Sequence, residues 1–322
     1  MAMTTTGREM RRLRKGIVIA WIVNFLILAL TFEAAAIFIF LGASSTDRQI
    51  GDFLAMSAPI CAVLSIIATS IAALSAARTV MGAAGSDYVR VDSGPAYQVV
   101  ENVSIAAGIG MPEVYVMEHS GIANAYAVSD RHGSRIIITD TLMNMMTRSE
   151  LESVVAHEVG HIKSGDSKAM TTLTGLTSIT GIISGSVTRL FRSDDRDTNA
   201  AAVLLIIVSF LFLMLAPLLS RTSQLWMSRE RESTADMLSV KFTGNPDGLI
   251  SALRKLDSSD RKISRKAASR FDASCGCLAF HAPRLKGLRN GMSTHPPIEE
   301  RIRRLEAVGG LDTAAGADMI GR

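Results

Sequence analysis

Aromatic side chains, histidine and cysteine are all scarce in this chain. Aromatics make up only 5% of its 322 residues, and the mean hydropathy is positive, +0.27. That combination argues against one large soluble core and for membrane segments. The three cysteines are Cys61, Cys275 and Cys277. Cys61 lies in an apolar stretch. The Cys275-x-Cys277 pair has no two further ligands nearby, so it reads as ordinary reduced cysteines rather than a second metal site. Charge of one sign is also modest. The net charge of +4 fits a positive-inside bias rather than nucleic-acid binding. No internal repeat is visible, and no small-residue cleavage site follows the first apolar stretch, which is too long for the core of a signal peptide.

What the chain does have is long apolar runs. Four candidate membrane helices cover residues 16–41, 53–77, 169–187 and 200–220, near or above the ~20 residues that a span needs. The third is rich in Thr, Ser and Gly, and its Gly181-x-x-x-Gly185 spacing suits close helix packing. Its alternative is a buried amphipathic helix. Pro217 is placed to kink the fourth. Glu33 is either a functional carboxylate within the first span or the outer end of a shorter one. Arg8, Arg11, Arg12, Arg14 and Lys15 precede the first span, so residues 1–15 are expected in the cytoplasm. Arg78 and Arg90 after the second span, and the basic segment after Arg221, agree with that orientation. Arg189, Arg192 and Arg196 in the loop 189–199 pull against it.

The remaining chain forms two pieces, 78–168 and 221–309, followed by a Gly/Ala-rich flexible tail, 310–322. An even number of crossings between the pieces returns the chain to one side, so both can build one domain. In the first piece a helix near 94–110 ends at Gly108-Ile109-Gly110. Strand-like runs follow at Glu113–Met117, Asn124–Val128 and Arg135–Thr139. The second piece reads as helices over 223–240, from Asn245-Pro246 to about Leu256, and after His295-Pro296-Pro297. Residues 258–293 show weak periodicity and read as a flap. The fold class is therefore α+β and mainly helical: multi-pass membrane helices plus a domain with a small antiparallel sheet.

Scarce histidine makes one run stand out. His157-Glu158-Val159-Gly160-His161 places two imidazoles at i and i+4, on one face of a helix, where both can reach one metal ion. Glu158 beside them is placed to move a proton on a metal-bound water. Thr147-Arg148-Ser149-Glu150 fits a capping box, which predicts the start of that helix, and Gly165 is its stop. A catalytic zinc needs a third protein ligand. Candidates are His119, His132, His281, His295 or a carboxylate. Glu232 and Asp236 share a helix face, so Glu232 could bind metal while Asp236 accepts the free N–H of a ligand histidine. Position alone does not separate Glu230 from Glu232.

The run at 157–161 with Gly165-Asp166, and Arg231-Glu232-x-x-Ala235-Asp236, resembles the HtpX family of membrane-bound zinc metalloproteases, related to the CAAX prenyl proteases. Pro112-Glu113-Val114, Asn124-Ala125-Tyr126-Ala127, Thr294-His295-Pro296-Pro297 and Glu300-Arg301-Ile302 extend the resemblance over nearly the whole chain. Many members carry an aromatic residue after the third ligand, where this chain has Ser233. The resemblance implies a zincin-like (gluzincin) domain with one Zn2+ held by His157, His161 and Glu232, and Asp236 behind the ligands. It offers His295 or Arg301 to steady the oxyanion. It implies that Asn124, Ala125 and Tyr126 hold an extended polypeptide by strand addition. The expected protein is a multi-pass plasma (inner) membrane endopeptidase whose catalytic domain faces the cytoplasm. Its implied role is quality control of misfolded membrane proteins under stress. A maturation protease of the CAAX type is a rival reading, and a catalytically silent membrane scaffold is another, against which the intact Glu158 speaks.

Overall fold

The computed structural model describes residues 15, 17–30, 32–33, 36, 47–83, 88–176, 229–259, 280 and 296–308. The chain divides into two units, one of residues 1–83 and 172–226, the other of 84–171 and 227–322.

In the first unit, helix α1 covers Ile17–Leu30, α2 covers Asp47–Leu74 and α3 covers Ala76–Ala83. Along α2 the buried positions are Ser57, Cys61, Ser65, Thr69 and Ala72, whereas Met56, Ile60, Val63, Leu64, Ile67 and Ile71 are exposed. Small and polar inside with large and apolar outside is the reverse of a water-soluble helix. It suits a helix with lipid on its outer face and close helix contacts within. Among the described residues one helix, Asp52–Leu74, is long and apolar enough to cross a bilayer. The polar face of α2 meets the N-terminal residues at Glu33, whose Oε1 accepts a hydrogen bond from Ser57 Oγ at 2.6 Å. Gly175 serves the same close packing: a Cβ there would lie 2.5 Å from Ala76 Cβ. The segment 200–220, Gly181, Gly185 and the 189–199 loop lie outside the described residues.

The second unit begins with β1, Tyr88–Arg90, and α4, Pro95–Ala107. Strands β2 (Glu113–Met117), β3 (Ala125–Ser129) and β4 (Ser134–Thr139) follow, then α5 (Asp140–Met145) and α6 (Arg148–Ser164). After the intervening segment come α7, Arg229–Thr243, α8, Pro246–Ser259, and the helical stretch 298–308. The expectation of an antiparallel sheet is corrected. The strand order is β1-β2-β4-β3, and β2 pairs with β4 in parallel. The cause is a turn over 130–133, where Asp130 N–H bonds Gly133 C=O. It folds β4 back antiparallel to β3 and into the place beside β2. That makes the sheet mixed and leaves β3 at an edge.

Helix α6 crosses this sheet and packs against α4, α7 and α8. It starts as its sequence dictates. Thr147 Oγ1 accepts from Glu150 N–H, and the Glu150 carboxylate accepts from Thr147 N–H at 2.7 Å. Such a cap contributes about 1 kcal/mol. Here the same carboxylate also accepts from Ser251 Oγ and pairs with Lys255 Nζ at 2.6 Å, tying the start of α6 to α8. Burial opposes ionisation of Glu150, yet Lys255, Ser251 and the cap hydrogen bonds outweigh it and lower its pKa to about 2. Leu151, Val154, Val155 and Val159 of α6 enter a core shared with Val99, Val103, Ile136, Ile138, Leu249 and Leu253. Apolar burial of this kind stabilises the unit by about 25 cal/mol per Å². One end of α6 is thus held by ion pairing and its middle by packing, so the face carrying His157 and His161 is rigid.

Candidate active site

Two close approaches bring the halves of the site together. Gly160 lies where α6 meets α7, and a Cβ on it would sit 3.3 Å from Leu238 Cβ and 3.4 Å from Ala235 Cα. Ser239 Oγ also donates to Ser153 C=O across this interface at 2.7 Å. This interface sets Glu232 of α7 against the histidines of α6. His157 Nε2 and His161 Nε2 are 3.1 Å apart. Glu232 Oε1 is 3.5 Å from His161 Nε2, and Oε2 is 3.7 Å from His157 Nε2. Two ligand atoms on one tetrahedral zinc stand about 3.3 Å apart, given bonds of about 2.0–2.1 Å. The contacts are near that spacing, each histidine facing its own oxygen of the Glu232 carboxylate, and one donor atom from each of the three residues lies within 4.8 Å of the others. His157 and Glu232 are fully buried, so the cluster is not a solvated charged surface.

Behind His157, its Nδ1 donates to Asp236 Oδ1 at 2.9 Å. Arg301 grips that carboxylate from the other side, Nη2 to Oδ1 at 2.6 Å and Nε to Oδ2 at 2.9 Å. Burial works against ionisation of Asp236, but Arg301 and then His157 hold its pKa below the usual carboxylate value. Burial also lowers the pKa of His157 to about 4 against the pull of Asp236. The neutral imidazole therefore carries its proton on Nδ1 and turns the Nε2 lone pair toward the ligand triangle, the state in which histidine binds a metal. His161 differs. Burial opposes its charge, yet Asp166, Glu232 and Glu158 raise its pKa to about 10. Glu158 is raised to about 8, by burial first and then by the nearby Glu232 charge, against the opposite pull of His161. Its Oε1 is buried with no hydrogen-bond partner. A buried carboxyl with its pKa raised, an orphaned oxygen on it and two converging Nε2 atoms fit the donor chemistry of a divalent cation site.

Arg301 was expected to be one of two oxyanion groups. Its guanidinium is instead engaged by Asp236 and by the Phe280 carbonyl at 3.3 Å, with only 2% of its side chain exposed. The other candidate, His295, lies outside the described residues, as do Cys275, Cys277 and His281. His119 and His132, both candidates for the third ligand by residue type, do not join the cluster.

Strand β3 carries the residues expected to hold substrate. Tyr126 pairs with Ile137 and is fully buried, its hydroxyl 2.9 Å from that of Tyr88. Asn124 C=O accepts from Thr139 N–H, so in this antiparallel ladder the backbone groups of Ala125, Ala127 and Ser129 face outward. Those groups meet side chains and backbone of the same chain. Ala125 C=O accepts from Phe280 N–H at 2.9 Å. Ala127 N–H donates to Glu158, and Ala127 C=O accepts from Ser167 Oγ at 3.0 Å. Ser129 N–H donates to Thr171 Oγ1 at 3.0 Å. The Phe280 ring stands edge-on to His157, centroids 4.9 Å apart. Phe280 carries no signal in the sequence, because it sits in a stretch without periodicity. Asp166 and Arg231 stand out there only as parts of a motif.

Comparison with known proteins agrees with this geometry. Residues 95–308 match peptidase family M48. A Protease HtpX homolog of Streptococcus uberis is 35% identical over 295 residues, covering 87% of this chain and 94% of that protein. One from Tropheryma whipplei is 40% identical over 223 residues, covering 68% and 74%. A crystal structure of S. mikatae Ste24p is similar with a TM-score of 0.46 and 20% identity, covering 92% of this chain and 65% of that one. The chain belongs to peptidase family M48, within its HtpX branch. It is therefore a protease, and the family implies a metal.

Proposed function

We propose that this chain is a zinc-dependent endopeptidase of the plasma (inner) membrane, cutting misfolded or damaged membrane proteins from the cytoplasmic side. The observation that carries the reading is the convergence of His157 Nε2, His161 Nε2 and the Glu232 carboxylate, within 4.8 Å of one another, with Glu158 beside them. The membrane location is supported by the inside-out patterning of α2 and by the apolar runs of the sequence. Four crossings and a cytoplasmic catalytic domain rest on the basic residues flanking those runs.

His157, His161 and Glu232 would hold the metal in this reading. Zinc supplies a Lewis acid there for water and for the scissile carbonyl. Glu158 takes the proton from the attacking water and delivers it to the leaving amine. Burial serves this role, because a carboxylate in a poorly solvated site is the stronger base. Asp236, held by Arg301, fixes the His157 tautomer. Substrate in extended form pairs with β3 by replacing the own-chain groups on its outward edge.

The test uses the full chain in detergent with casein as substrate. Glu158→Gln is expected to keep zinc and lose cleavage by about 10²–10⁴-fold. Glu232→Ala is expected to lose zinc itself. Casein cleavage at the parental rate by Glu158→Gln, or undiminished zinc binding by Glu232→Ala, would overturn the assignment.

A further inference from the structure

His161 also has a partner behind it. Its Nδ1 is 3.8 Å from Asp166 Oδ2, and Asp166 Oδ1 is 3.5 Å from Arg231 Nη1. The order His, Asp, Arg repeats the arrangement His157, Asp236, Arg301 on the other ligand. The chain puts Asp166 there by a local device. Gly165 ends α6 in the left-handed conformation, φ 77°, and the next residue falls beside the last turn, where His161 lies. Arg231 is the immediate neighbour of Glu232 on α7, so one helix brings both a metal ligand and the cation that faces Asp166. Arg231 is buried, with 4% of its side chain exposed, and its Nη1 has no hydrogen-bond partner. A buried guanidinium nitrogen facing a carboxylate at 3.5 Å is otherwise expensive to keep.

We propose that Asp166 and Arg231 are positioning residues for His161, a second His–Asp–Arg relay behind the ligand set. The proposal rests on the zinc reading given above. When Nε2 of His161 coordinates the metal, its remaining proton is on Nδ1 and needs an acceptor. Asp166 is the carboxylate facing that nitrogen. A shift of less than about 1 Å brings 3.8 Å to hydrogen-bond length. Arg231 then fixes Asp166 as Arg301 fixes Asp236. The relay differs from the first in having the longer histidine–aspartate contact, 3.8 Å against 2.9 Å.

The experiment measures zinc affinity of the full chain in detergent by competition with a chromophoric chelator. It also records the visible spectrum of the cobalt-substituted protein and the Tm of the metal-free protein. Asp166→Asn is expected to weaken zinc about 10–100-fold and to change the cobalt spectrum. The metal-free Tm is expected to fall as well, because Arg231 loses the carboxylate that faces it; the cobalt spectrum reads the His161 ligand itself, a signature that a merely structural role does not move. Arg231→Gln should do the same, Arg231→Lys should recover part of the loss, and the double variant should be no worse than Asp166→Asn alone. Unchanged zinc affinity and cobalt spectrum in Asp166→Asn overturn the relay, as do independently additive effects of the two substitutions. If Arg231→Gln does not fold, Asp166→Asn still decides. A parent protein that binds no zinc overturns the underlying metal reading instead, so the two failures are distinct.

Discussion

Gly160 offers a measurement of how tightly the site depends on the approach of two helices. Its missing side chain lets α7 ride against α6, and a Cβ would meet Leu238 Cβ at 3.3 Å, Ala235 Cα at 3.4 Å and Ala235 O at 3.5 Å. Two of these are backbone atoms, which cannot rotate away. Gly160→Ala gains about 1 kcal/mol of helix propensity and costs about 1–3 kcal/mol of overpacking, for a net loss of about 0–2 kcal/mol. Zinc affinity should fall only a few-fold, because a shift of a few tenths of an ångström is near the tolerance of about 0.2 Å for metal–ligand bonds. Gly160→Leu adds three further carbons against the same backbone. It should push Glu232 and Asp236 outward together, since both belong to α7, and weaken zinc by on the order of 100-fold or more. Chelator competition measures the affinity, and circular dichroism of the metal-free protein shows whether the domain is still folded. A folded Gly160→Leu protein that binds zinc as tightly as the parent would refute the claim that this contact sets the ligand spacing.

Two further outcomes follow from buried charge. Glu150 has its pKa lowered from 4.5 to about 2. Its stabilisation is therefore complete above about pH 4.5 and is lost as pH falls toward 2. The shift corresponds to about 3 kcal/mol, reduced to roughly 2 kcal/mol because the Lys255 side chain is 38% exposed. Urea unfolding of Glu150→Gln against the parent should show that difference at pH 7 and a smaller one near pH 3, and a gap independent of pH contradicts the account. Arg301→Met strands the Asp236 carboxylate in the interior and should cost about 3–5 kcal/mol in the metal-free protein. A loss below about 1 kcal/mol means that Asp236 does not depend on it.

Local chemistry is legible in the sequence itself. The Thr147–Glu150 cap, the Gly165 stop, the strand Glu113–Met117 and the helix beginning at Pro246 are each written in a few adjacent residues, and the fold contains them. The parallel pairing of β2 with β4 is not legible there, because it depends on β4 entering between strands that precede it. The engagement of Arg301 by Asp236 is not legible there either, because the pairing spans 65 positions. Asp166 and Arg231 are also charged residues whose burial only the α6–α7 contact creates. The two histidines and Glu158 need no such contact, since helical periodicity alone aligns them.

The split construction of the second unit has a consequence in time. His161 and Glu232 are separated by 71 positions (232 − 161), and the whole segment 172–226 belongs to the other unit. At 5–20 residues per second, a growing chain carries both histidines for roughly 4–14 s before Glu232 exists. Over that interval the α6 surface that receives α7, including the contact at Gly160, has no partner from its own chain. Until then a nascent chain cannot bring Glu232 to His157 and His161. Catalytic competence waits for the chain to come back.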